Sequence, residues 1–239
     1  MAFQIGPYGW PANMLCGVLF GGNLRMLATI YMSDKWNRHW YAQHYEDLFS
    51  GLRHKKINIL EIGVGGYEDP KHGGNSLRMW RDYFPNGRVY GIDIFDKSPH
   101  NQGRIKTFRG SQADADFLDA LVREIGTIDI IIDDGSHIAE HILFTFKHLF
   151  PHLSDRGFYV IEDTETSYWE EYGGNAVDRN DLNTAMGYFK SLTDGINWEA
   201  LRGEYTPTYF NLNIKSISFY RNLIVIRKGA NHEGGCPPD

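Results

Sequence analysis

Apolar residues fall first into short unbroken runs and then into stretches with helical spacing, and the two patterns alternate along most of the chain. Ile57-Asn58-Ile59-Leu60-Glu61-Ile62, Val89-Tyr90-Gly91-Ile92-Asp93, Ile105 to Phe108, Ile128 to Ile132 and Phe158 to Ile161 are such runs. Runs of this kind predict strands buried on both faces of a parallel sheet. Between them, Leu77, Trp80 and Phe84 share one helical face, as do Phe117, Leu118, Leu121 and Ile125, then Ile138, Ile142, Phe146, Leu149 and Phe150. Alternation of this sort predicts an α/β fold: a mostly parallel sheet with helices on both faces. Ser216 to Tyr220 and Leu223 to Ile226, separated by Arg221-Asn222, predict a C-terminal antiparallel hairpin.

Boundary signals refine this outline. Ser33 is expected to cap a helix through Trp36, Trp40, Gln43, His44 and Leu48. Ser76 opens the helix after the glycine-rich stretch 63–74, and Pro85 helps end it. Asp114 starts the next helix, and Pro151 to Gly157 is expected to turn the chain into the fifth strand. After Glu165 the sequence is polar and aromatic with Gly and Asn to about Lys215, and no element is predicted there. At 239 residues the chain suits one domain: residues 1–50 an N-terminal helical extension, 51–165 a core, 166–215 an acceptor-binding or lid segment, and 216–228 the closing hairpin. Residues 229–239 read as a frayed tail.

Composition narrows the function. Twenty-four basic residues against 30 acidic give a net charge of −6, and no Lys/Arg run stands out, which argues against a nucleic-acid partner. The apolar piece from Met14 to Phe20 is too short to span a membrane and is broken by Gly17. Cys16 and Cys236 are the only cysteines, so a disulfide framework is not expected and a reducing cytoplasm is the preferred setting, with both thiols inert. Aromatic content is high at 14%, and Tyr168, Trp169 and Tyr172 fall in polar sequence, where rings suit flat, partly hydroxylated ligands or pack peripheral helices.

The glycine turn Glu61-Ile62-Gly63-Val64-Gly65-Gly66 closes the first strand. A dinucleotide fingerprint G-x-G-x-x-G would need glycine at 68, where Glu68 stands, so an NAD(P) oxidoreductase is the weaker alternative. Glu61 suits a ligand carrying an amine and a sulfonium, and S-adenosyl-L-methionine (SAM) is one. Asp93, ending strand two, can accept from both ribose hydroxyls. Ser111 and Gln112 lie where an adenine edge would be, with capping of the following helix as the plain alternative. Gly63, Gly65 and Ser76 complete the donor loop, and Asp133 is assigned with these donor-site residues, chiefly as a brace for its loop.

Two acidic clusters end neighbouring strands: Asp133-Asp134-Gly135-Ser136-His137 and Glu162-Asp163. Asp134, Glu162 and Asp163 offer hard oxygen ligands with no cysteine nearby, which suits Mg²⁺, with Mn²⁺ as the alternative. A helix beginning near Ser136 would hang the His137 ring over the same strand end. His137 could then deprotonate a metal-bound hydroxyl for attack on a methyl group. Asp134, Glu162 and Asp163 are thus candidate metal ligands and His137 the candidate general base. Glu162 and Asp163 can share one ion only if the backbone turns between them, because successive strand residues face opposite sides.

Together, Ser33-Asp34-Lys35-Trp36, His39-x-Tyr41, Tyr45-Glu46, Leu60-Glu61-Ile62-Gly63-x-Gly65-Gly66, Gly73-Gly74-x-Ser76-Leu77-Arg78-x-Trp80, Gly91-Ile92-Asp93, Asp133 to His137 and Glu162-Asp163 resemble the macrocin and mycinamicin sugar O-methyltransferases. The resemblance spans about residues 33–169. It implies a Rossmann-like class I methyltransferase sheet and SAM- and Mg²⁺-dependent methylation of a sugar hydroxyl on a saccharide, glycoside or glycosylated natural product. By matching motifs, Asp134, Glu162 and Asp163 take the metal roles and His137 the base role. Mycinamicin-type members carry a large additional N-terminal domain, and residues 166–215 show no clear match, so the acceptor stays open. Methylation of a catechol-like phenol is the runner-up. A homodimer is the expectation from the prevalence of two-fold assemblies.

Overall fold

The computed structural model describes residues 19–232 and residue 234. Cys16, Cys236 and residues 14–18 of the Met14 to Phe20 piece lie outside these residues, as does most of the expected C-terminal tail. The chain divides into two compact units, one ending at Arg109 and the other starting at Gly110. Among the described residues seven strands are present, three in the first unit and four in the second.

The first unit holds three parallel strands, β1 (Asn58–Ile62), β2 (Arg88–Asp93) and β3 (Ile105–Arg109). Ile59 pairs with Val89 and Val89 with Ile105, so β2 lies between the other two. Its helices are α1 (Leu24–Ile30), α2 (Tyr41–Phe49) and α3 (Asn75–Tyr83). Tyr45, Phe49, Trp80 and Phe84 stack into one aromatic cluster with ring centroids 5.2–6.3 Å apart. All four are fully buried, which fixes α2 against α3.

The helix expected from Ser33 starts instead at Tyr41. Residues 34–39 form turns, and Asn37 has φ 73°, which no α-helix interior admits. Ser33 accepts from the Lys35 amide at 3.4 Å, and Lys35 itself is drawn into the core.

The second unit holds β4 (Ile128–Asp133), β5 (Leu153–Glu162), β6 (Ile214–Tyr220) and β7 (Leu223–Lys228). β4 and β5 are parallel; β7 runs antiparallel to both β5 and β6. The two-residue turn Arg221-Asn222 closes the hairpin, with Asn222 at φ 58°. Ile130, Ile131 and Ile132 are all fully buried, as an unbroken apolar run in a central strand requires. Helices α4 (Ala115–Ile125) and α5 (Ala139–Leu149) follow the expected pattern, and the Asp114 carboxylate caps α4 by accepting from the Phe117 amide at 3.1 Å.

Two expectations fail in this unit. The stretch 151–157 is not simply a turn: β5 already begins at Leu153. Its Asp-Arg-Gly signal belongs to a bulge, with Arg156 at φ 70° and a register shift opposite Ile128 and Ile130. Residues 166–215 are not elementless, because α6 (Ala185–Ile196) and α7 (Tyr209–Asn213) lie there. Among the described residues no helix is long and apolar enough to cross a membrane.

Candidate active site

The parallel pairing of β4 with β5 sets the site. Asp133 pairs with Ile161, so one step further along both strands brings Asp134 level with Glu162. At that point both backbones leave the sheet. Asp163 has φ 51° and ψ 42°, and His137 has φ 58°. These left-handed conformations suit Asp and Asn, and His to a lesser extent, because such side chains tolerate the αL region. The bend at Asp163 swings its carboxylate towards the β4 loop.

His137 Nε2 consequently lies 3.9 Å from Asp134 Oδ1 and 3.9 Å from Asp163 Oδ2. One ligand atom from each of Asp134, His137 and Asp163 falls within 4.8 Å of the others. The three side chains are 21–24% exposed, enough for solvent or substrate to reach them. Two carboxylates this close repel unless positive charge lies between or beside them. Two carboxylate oxygens and no thiol suit a hard divalent cation with room for further ligands, with the imidazole beside it in the place of a base. Glu162 is buried at the end of β5, beside this group but outside the close threesome. The helix expected from Ser136 begins at Ala139, and it is the left-handed turn at His137 that presents the ring.

Asp133 and Gln112 form the floor. The Gln112 amide nitrogen donates to Asp133 Oδ1 at 3.1 Å and lies 3.2 Å from Thr145 Oγ1, while its oxygen accepts from the Ser136 amide at 2.8 Å. The Ser136 hydroxyl meets His141 Nδ1 at 2.9 Å. Burial pushes the Asp133 carboxyl up to about 7, against the opposing pull of the Gln112 amide, His137 and the Gly135 amide. Tyr159 is also fully buried; its hydroxyl is pushed well above its ordinary range by burial first and by the neighbouring Asp133 second. Gln112 thus works as a brace for the loop that carries Asp134 and His137. Ser111 accepts from the Ala113 amide at 3.1 Å, a local turn bond, while Asp114 does the capping.

In the first unit the glycine loop is drawn shut. The Gly74 amide donates to the Val64 carbonyl at 2.8 Å, and a Cβ on Gly73 (φ 93°) would collide with the Gly65 carbonyl. Asp93 accepts from the Val64 amide at 3.0 Å and the Phe95 amide at 2.9 Å. Each of its oxygens still has a second lone pair for a ribose hydroxyl. Ser76 lies in the first turn of α3, half-buried.

Lys35, Lys97 and His100 are three residues to which the sequence assigns no role. Glu61 is fully buried and pairs with the equally buried Lys35, whose Nζ is 3.1 Å from Oε1. Lys97, also buried, donates to the carbonyls of Tyr67 at 2.7 Å and Asp69 at 2.8 Å and so holds the glycine loop. His100 donates from Nε2 to the His72 carbonyl at 3.1 Å. Lys35 stood in a quoted motif, but its distant partner left no local signal; Lys97 and His100 left none at all.

No family model matches the chain. It is 42% identical over 243 residues to mycinamicin VI 2''-O-methyltransferase of Micromonospora griseorubida, covering 98% of this chain and 61% of that protein. It is 45% identical to a rhamnosyl-tetracenomycin C 3'-O-methyltransferase of Streptomyces olivaceus, covering 90% of this chain and 56% of that protein. The MycE methyltransferase of the mycinamycin pathway, solved in complex with Mg and SAH, superposes with a TM-score of 0.87 at 44% identity. That match covers 90% of this chain and 56% of MycE. The chain is similar in sequence and fold to the macrocin- and mycinamicin-type sugar O-methyltransferases. It shares their mostly parallel sheet with its C-terminal antiparallel hairpin, and it spans 61% and 56% of the two sugar O-methyltransferases above.

Proposed function

We propose that the chain is a SAM- and Mg²⁺-dependent O-methyltransferase acting on a hydroxyl of a sugar within a glycosylated small molecule. The observation that carries this reading is the convergence of Asp134, His137 and Asp163 beyond the ends of β4 and β5. Kinship supports it: the matched relatives are named as sugar O-methyltransferases, and MycE was solved with Mg, SAH and mycinamycin VI.

In this reading Asp134 and Asp163, with Glu162 beside them, hold the cation. When bound, a divalent cation makes a ligated acceptor hydroxyl more acidic. His137 Nε2 takes the hydroxyl proton, and the two carboxylates 3.9 Å away stabilise the imidazolium that results. The acceptor oxygen attacks the sulfonium methyl carbon in line. The carbon–sulfur bond breaks, its electron pair stays on sulfur, and the products are a methyl ether, S-adenosylhomocysteine and a proton held on His137. Glu61, Gly63, Gly65, Ser76 and Asp93, with Ser111, Gln112 and Asp133, belong to the donor side, Gln112 and Asp133 as braces. Residues 166–215 form the acceptor side. A cytoplasmic homodimer completes the reading, supported by cysteine scarcity and by the prevalence of two-fold assemblies.

The test offers labelled SAM and Mg²⁺ with rhamnosyl tetracenomycin C, mycinamicin VI and a catechol. Label is expected in a glycoside and not in the catechol, and chelation should stop transfer. Transfer to the catechol alone, or undiminished transfer after thorough demetallation, would overturn the proposal.

A further inference from the structure

The segment after Asp163 carries a feature that the chemistry above does not use. Two turns of 3₁₀-helix lead away from the carboxylate, Thr164–Tyr168 and Glu170–Tyr172. They display Tyr168 and Trp169, 37% and 45% exposed, and the Tyr172 ring lies 5.9 Å from that of Trp169. Single exposed apolar side chains are ordinary on a protein surface. A paired indole and phenol beside a reactive centre is a different case, because such rings supply apolar area at small entropic cost and leave polar tips for hydroxyl groups.

The backbone under these rings is rigid. The Trp169 amide donates to the Thr166 carbonyl at 3.0 Å, and its own carbonyl accepts from Gly174 at 2.8 Å. The Asn175 amide returns to the Ser167 carbonyl at 2.9 Å, and the Ser167 hydroxyl accepts from the Met186 amide at 3.1 Å. A Cβ on Gly174 would collide with the Thr166 carbonyl, so the loop closes only with glycine there. The start of the segment is tied to the site, since the Thr166 amide and hydroxyl both donate to the Asp163 carbonyl, at 3.2 and 3.0 Å. Its far end returns there: a Cβ on Gly173 would stand 3.6 Å from Ala139, two positions after His137. The aromatic pair therefore stands on a fixed rim of the His137–Asp163 site.

Position decides what the pair can touch. The five 3₁₀ residues Thr164–Tyr168, about 10 Å of axial rise, stand between Asp163 and Trp169, which is exposed at the rim. A sugar whose reacting hydroxyl lies at His137 fills the centre, and the group attached to that sugar meets the rim. We infer that Trp169, with Tyr172, is a specificity-determining platform that stacks on the aglycone or neighbouring ring of the acceptor, not on the ring that is methylated. This rests on the sugar O-methyltransferase reading and deepens it.

The experiment compares 8-demethyl-8-α-L-rhamnosyl tetracenomycin C, with its flat aromatic aglycone, with methyl α-L-rhamnoside, which has none. Trp169→Ala should raise KM for the first about tenfold with kcat preserved, leave the second within twofold, and be largely rescued by Trp169→Phe. An equal effect on both acceptors, no effect on either, or a change confined to oligomeric state would overturn the platform. Failure of the wild type to methylate either glycoside counts against the enzymatic reading itself. Calorimetric binding of the tetracenomycin glycoside in the presence of SAH and Mg²⁺ then decides on Trp169. About tenfold weaker binding by Trp169→Ala supports the platform; unchanged binding overturns it, and no binding by the wild type overturns both.

Discussion

Lys35 and Glu61 form an ion pair of 3.1 Å with both side chains at 0% exposure. Removing one partner of such a pair strands the other charge in the core, which costs about 3–5 kcal/mol, whereas replacing both with apolar residues costs far less. Lys35→Met should therefore lower the denaturation midpoint sharply. The double variant Lys35→Met/Glu61→Leu should recover much of the loss. Urea titrations of the three proteins check this, and a double variant no more stable than Lys35→Met would contradict the pairing.

His137→Ala should reduce kcat about 10²- to 10⁴-fold, the usual worth of a general base. Affinity for SAH should be unchanged, because the imidazole faces Asp134 and Asp163. Single-turnover rates paired with SAH calorimetry separate the two effects. Equal losses in both would remove His137 from the proton-transfer role.

Asp163→Asn keeps the left-handed backbone at φ 51°, since Asn tolerates that region as Asp does. The melting temperature should stay close to that of the wild type. The Mg²⁺ concentration for half-maximal activity should rise about tenfold or more, one charged oxygen ligand having been lost. Normal Mg²⁺ dependence in this variant would take Asp163 out of the ligand set.

Stability should fall as the solution is acidified through the histidine range, and His100 should contribute. Burial chiefly, with Arg78 and Lys97 nearby, holds its imidazole below the ordinary value of 6.5, against the opposing pull of its bond to the His72 carbonyl. Arg78 can only donate, so the 3.4 Å contact from its guanidinium makes His100 Nδ1 the acceptor and Nε2 the protonated nitrogen. Just below pH 6.5 the unfolded chain binds a proton that the folded chain refuses. Unfolding free energy therefore rises with pH there, and the contribution is complete above the unfolded value and lost below it. His100→Gln should flatten this part of the curve, as followed by denaturation at a series of pH values. An unchanged slope would assign the dependence to other groups.

The strands could be read from sequence because central parallel strands must be apolar on both faces, and Ile130-Ile131-Ile132 meets that demand without tertiary help. Asp114 was legible as a cap for a similar reason: capping is local. The helix Ala185–Ile196 was not legible, because Gly187 and Gly195 disguise it as loop. Both glycines answer to tertiary crowding: a Cβ on Gly187 would collide with the Asp181 carbonyl, and one on Gly195 with the Asn211 amide. Thr184 nevertheless caps the helix, accepting from the Gly187 amide at 3.0 Å. At the site, the approach of Asp134, His137 and Asp163 was legible from strand-end spacing, whereas the position of Glu162 outside that group was not. The dual engagement of Gln112 with Asp133 and Ser136 was not, because nothing in local sequence distinguishes a brace from a ligand contact.

The bend at Asp163 separates shape from chemistry. Asparagine satisfies the same backbone torsions, so one exchange there deletes a negative charge while leaving the course of the loop and the mounting of Trp169 in place. On the proposed function, one such exchange would loosen the cation without disturbing the surface offered to a glycoside.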